Sequence, residues 1–69
     1  MNMPSLFEFV RDPASAWARQ FREYAANARE CLAAARQSYG VAKRVHLRSA
    51  RHYGKLARLT LSASQEVAA

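Results

Sequence analysis

The chain is poor in the residues that staple or punctuate small domains: one cysteine, two glycines, two prolines and five acidic side chains among 69 residues. A lone Cys31 excludes an internal disulfide framework. His46 and His52 stand six apart, off the spacing of four that puts two metal ligands on one helical face. A chain this short buries little surface by itself, and with neither staple present oligomerisation is the expected supplement, so a homodimer is the expected state. No apolar run approaches the roughly 20 residues needed to cross a bilayer. The start, Met1-Asn2-Met3-Pro4, lacks the basic segment of a secretory signal. These absences predict a cytoplasmic protein that does not enter a membrane.

Catalytic constellations are also missing. There is no glycine-rich phosphate loop and no pair of carboxylates at a working distance. Cys31 and His46 are the one nucleophile and base that folding the chain in half could bring together, but no carboxylate is placed to orient the imidazole. Cys31 reads more simply as a small buried apolar residue. The expected protein is not an enzyme and carries no cofactor or metal.

What remains is helix-forming. Both prolines, Pro4 and Pro13, lie near the N-terminus. The rest is rich in alanine, arginine, leucine and glutamine, which lose least on becoming helical. Ser5-Leu6-Phe7-Glu8 reads as a capping box, with the Ser5 hydroxyl accepting from the Glu8 amide and Glu8 reaching back to the Ser5 amide. A short helix over about 6–11 follows, apolar on most sides through Leu6, Phe7, Phe9 and Val10, which must pack on the body of the protein, a second subunit or a partner. Asp12-Pro13 is a start signal for a second helix, because aspartate caps free amides and proline at the first helical position has no amide to satisfy.

From there Ala14, Trp17, Phe21, Tyr24, Ala28, Cys31 and Ala35 recur at steps of three and four, one face of a packed helix. Gly40 stands where a left-handed residue would close that helix, at about 38, and turn the chain. A third helix over about 41–65 would return antiparallel, setting Trp17 near Leu59 and Leu61, Phe21 near Leu56 and Ala57, and Tyr24 near Tyr53. The expected fold is all-α, one domain, a helical hairpin with a short N-terminal helix. Its core or dimer contacts are Trp17, Phe21, Tyr24, Ala28, Cys31, Val45, Tyr53, Leu56 and Leu59. Gly54, inside the third helix, marks a position where another helix would cross closely. The competing architecture is an unbroken helix, since the three-four spacing continues through Ala42, Val45, Ser49, His52, Leu56 and Leu59. Residues 13–65 would then make a rod about 80 Å long, a structural coiled-coil subunit.

Charge is distributed unevenly. The formal net charge is +6, with nine arginines against two lysines. Residues 1–39 carry five basic and four acidic side chains, whereas residues 40–69 carry six basic and one acidic. Arg44, Arg48, Arg51, Lys55 and Arg58 fall in one narrow sector of a helix, and no acid occurs between Glu30 and Glu66 to pair with them. Like charges at this spacing repel by a few tenths of a kcal/mol per pair. One reading is a solvated outer face. Another is a contact for an acidic protein surface, joined by Tyr39 at the turn and by Phe7 and Phe9 on the N-terminal arm. A third is phosphate-driven nucleic-acid binding, steeply salt-dependent, although the stripe lacks the Asn and Gln that read base edges. A membrane surface is disfavoured, because lipid would compete with the first long helix for the same apolar face.

A very short, alanine- and arginine-rich helical chain with an aromatic-bearing arm resembles the small early proteins with which bacteriophages and plasmids disable host factors. In size and outline it is similar to the phage quorum-sensing anti-activators, dimeric helical proteins that bind a host transcriptional regulator. The resemblance covers the whole chain in outline and no motif carries it, so no functional residue is transferred. It implies binding to a LuxR-type activator in the host cytoplasm and loss of that activator's DNA binding, with the basic stripe and Tyr39 as natural contacts.

Overall fold

Capping chemistry sets the boundaries of the N-terminal elements. The structure, a computed structural model, describes residues 3–68, with side chains through Val67. The first helix, α1, spans Leu6–Arg11, and the Ser5 side chain at its N-cap accepts from the Glu8 amide at 3.3 Å. The Glu8 carboxylate, expected to reach back to the Ser5 amide, accepts instead of that role a charged hydrogen bond from Arg19 Nη1. Asp12 then serves two helices. Its amide donates to the Glu8 carbonyl at 2.8 Å and closes α1, while its side chain accepts from the Ser15 amide at 3.5 Å and opens α2, Pro13–Arg36. Pro13 occupies the first helical position, where a missing amide costs nothing.

The chain reverses over Gln37, Ser38 and Tyr39. The Gln37 and Ser38 amides donate to the Ala34 and Ala35 carbonyls at 3.1 and 3.2 Å, and the Ser38 hydroxyl donates to Ala34 at 2.7 Å, so the orphan carbonyls at the end of α2 are satisfied locally. Gly40 does take a left-handed backbone, with φ of +60°, but at the first residue of α3, Gly40–Ala68, rather than as the closing residue of α2. The reversal is therefore completed where the third helix begins.

The two long helices pack against each other as a hairpin, and α1 folds back on α2. The longest dimension of the Cα trace is 44 Å, about half of what the unbroken rod requires, so the continuous-helix alternative is overturned. The shortest dimension is 13 Å. The molecule is a flattened slab in which the two long helices meet along one seam and α1 docks on α2.

That seam differs from the expected one. Its buried residues are Ala16, Gln20 and Ala35 from α2 and Ala50, Ala57 and Thr60 from α3. The large residues Trp17, Phe21, Tyr24, Tyr53 and Leu56, with Ala28 and Cys31, are only half-buried along its margins. Val45 and Leu59, expected in the core or a dimer contact, are 56% and 57% exposed in the single chain. Trp17 meets the Phe9 ring of α1. Alanines hold the most buried positions of the seam, and the larger side chains are partly buried around them. Tyr24 and Tyr53 do meet across the seam, ring centroids 6.2 Å apart. Gly54 is not required by a close crossing within the chain, for a Cβ built there meets nothing within 4 Å.

Polar groups also lie in this interior, Gln20 and Thr60 as buried residues and Asn27 through its amide nitrogen. The Thr60 hydroxyl donates to the Ala57 carbonyl at 2.8 Å, a bond within its own helix. Asn27 Nδ2 is buried without a hydrogen-bond partner.

Candidate partner-binding surface

Helical periodicity sets the cationic side chains of α3 on one ridge. At about 100° per residue, Arg44, Arg48, Arg51, Lys55 and Arg58 occupy a sector roughly opposite buried Ala50, Ala57 and Thr60. All five are exposed. Among the described residues none of them takes part in a salt bridge. Their charges are left to solvent or to a partner.

The ridge is not flat. Arg44, Arg48 and Arg51 enclose an open hollow of about 340 Å³ whose remaining wall is Leu47. Leu47 is half-buried, so the hollow has an apolar patch among three guanidinium groups. Sequence reasoning passed over Leu47 because it lies beside the stripe rather than on it. The available signal was its spacing, three residues after Arg44 and four before Arg51.

The other expected contacts lie elsewhere. Tyr39 is 90% exposed at the turn, with exposed Val41 close by in the chain and exposed Arg36, Gln37 and Lys43 around the same reversal. On α1, Phe7 is 68% exposed, with Leu6 and Val10 similarly outward. Phe9 does not share that exposure: its ring stands edge-on to Trp17 with centroids 4.7 Å apart, which makes it the anchor of the arm rather than a free contact. The expected site residues therefore fall into three groups, the α3 ridge, the turn and α1, with the turn and α1 at opposite ends of α2.

A smaller hollow of about 150 Å³ lies between α1 and α2, lined by Glu8, Arg11, Asp12, Ser15, Ala16 and Arg19. Its carboxylates already serve the caps and the Arg19 pair. No group of three His, Cys, Asp or Glu side chains among the described residues could hold a metal ion. Cys31 is a half-buried free thiol. No helix among the described residues is long and apolar enough to cross a membrane.

Architecture and surface together define a class: a two-helix slab with a short docked arm, whose chemistry is a one-sign ridge on one helix. Comparison with protein-family models, with curated proteins and with solved structures finds no match.

Proposed function

We propose that the chain is a non-enzymatic protein-binding module that inhibits a host regulatory protein, an anti-activator of a LuxR-type transcription activator being the specific form of the proposal. The observation that carries it is the α3 ridge, where Arg44, Arg48, Arg51, Lys55 and Arg58 are exposed on a helix with no acid before Glu66. Five like charges held together on one face disfavour the isolated chain slightly, and an acidic protein surface offsets that cost. Tyr39, almost fully exposed beside the start of the same helix, adds an aromatic anchor of the kind that dominates protein interfaces.

The working molecule in this reading is a homodimer in the cytoplasm. Val45 and Leu59 are left exposed on α3 in the single chain, and a second copy packed there would bury them. The same cations would also suit nucleic-acid phosphate. Against that, the ridge has no aromatic platform on which bases stack.

The test is direct. A LuxR-type activator bound to its labelled operator is titrated with the purified chain, and with a variant carrying Arg44→Ala, Arg48→Ala, Arg51→Ala and Tyr39→Ala. Release of the operator by the parent chain and not by the variant is expected. If the chain binds the labelled DNA itself, or leaves the activator in place, the proposal fails.

A further inference from the structure

The ridge has a spacing as well as a sign, and the spacing selects the shape of what it binds. From Arg44 to Arg58 is 14 residues, about 21 Å along the helix axis, so the five cations recur at a mean of about 5 Å. An acidic helix that places carboxylates at steps of three and four repeats at the same interval and stays in register along the whole ridge. An extended strand places same-face side chains about 6.6–6.8 Å apart. Across four intervals it drifts by roughly 6 Å, more than one full step of the ridge. Long arginine side chains absorb part of such a drift but not a whole step.

The hollow adds a second requirement. Leu47 and the aliphatic stems of Arg44, Arg48 and Arg51 line one side of the open hollow and put a small apolar patch between the charges. A phosphate backbone has nothing apolar to place there. A helix with a leucine or methionine between two carboxylates on the same face does.

We propose that the α3 ridge is a docking groove for an acidic amphipathic helix of the partner protein, carboxylates paired along Arg44, Arg48, Arg51, Lys55 and Arg58 and one aliphatic side chain seated against Leu47. This deepens the protein-binding reading above and rests on it. The ridge stays exposed in the single chain because its counter-charges belong to the partner.

The probe is a fluorescent synthetic helix of about 20 residues, alanine-based, with glutamates on one face at steps of three and four around one leucine. Its control has the same composition with the glutamates scattered around the helix. A labelled DNA duplex is the third ligand. With the full chain, the patterned peptide should bind at least about tenfold more tightly than the scattered one, a margin of ~1.4 kcal/mol. Arg44→Ala with Arg48→Ala and Arg51→Ala should remove that margin, and Leu47→Ala should weaken the patterned peptide several-fold while sparing the scattered one. Circular dichroism checks that each variant remains helical. Equal binding of the two peptides, tighter binding of the duplex, or no peptide binding overturns the proposal. If the triple-alanine variant still displaces the activator from its operator, the groove assignment falls while the inhibitor reading stands on Tyr39 and α1.

Discussion

The Phe9 ring meets Trp17 edge-on at 4.7 Å, and this contact fixes α1 to the slab. Edge-to-face pairs are worth roughly 0.5–1.5 kcal/mol beyond the area they bury. Phe9→Ala should lower stability by about 1–3 kcal/mol, and amide exchange over residues 6–11 should lose protection while α2 and α3 keep theirs. Protection retained in α1 would show that another contact holds it.

The Glu8–Arg19 pair contributes less. Its side chains are 41% and 31% exposed, so solvent screens the attraction. Glu8→Gln should cost under about 1 kcal/mol, shrinking further at high salt. Thermal melts of the two variants side by side decide whether the aromatic contact outranks the ionic one.

The two glycines should respond with opposite signs. Gly40 has φ of +60°, so Gly40→Ala should destabilise by about 1–2 kcal/mol, roughly 4–16 °C in melting temperature for a chain of this size. Gly54 is helical and a Cβ there meets nothing within 4 Å, so Gly54→Ala should stabilise by about 0.5–1 kcal/mol. Loss of stability at Gly54, growing with protein concentration, would place a second chain against that face.

Asn27 offers a test of the seam. A buried amide nitrogen without a partner costs on the order of 1–3 kcal/mol, and an apolar residue of similar shape does not incur that cost. Asn27→Leu should therefore raise the denaturation midpoint, whereas Asn27→Asp should lower it. A lower midpoint for the leucine variant would mean that the amide is hydrogen-bonded in solution.

Tyr39 should separate binding from folding. Its ring is 90% exposed, so Tyr39→Ala should change stability by no more than about 0.5 kcal/mol and, under the proposed function, should weaken displacement of a LuxR-type activator from its operator. A large fall in melting temperature would assign the ring to a subunit contact instead.

Local signals in the sequence located the helices well, because caps are local chemistry. Ser5, Asp12 and Pro13 fix the starts of α1 and α2 whatever the rest of the chain does. Gly40 was readable as a left-handed residue, but which helix would own it depended on the competition between the Ala34 and Ala35 carbonyls for the Gln37 and Ser38 amides. The most buried positions were less legible than the packed face itself. Apolar periodicity ranks positions by hydrophobicity and so favours Trp17, Phe21 and Leu59. The buried positions instead include the small residues Ala16, Ala50 and Ala57, with Trp17 and Phe21 partly buried beside them. The ridge was legible as charge, since like residues at helical spacing share a face in any helix. Leu47 was not, because its value depends on the arginines that enclose it.

The thickness of the slab bears on how such a chain changes over generations. Six residues are buried among the described positions, four of them alanine, and everything else touches solvent on at least one side. Surface substitutions away from special features usually fall within about 0.5 kcal/mol. Substitutions on the ridge, the turn or the arm are therefore expected to have little effect on whether the chain folds. Under the proposed function, the surface that meets a partner can change while the alanine seam and the caps stay as they are.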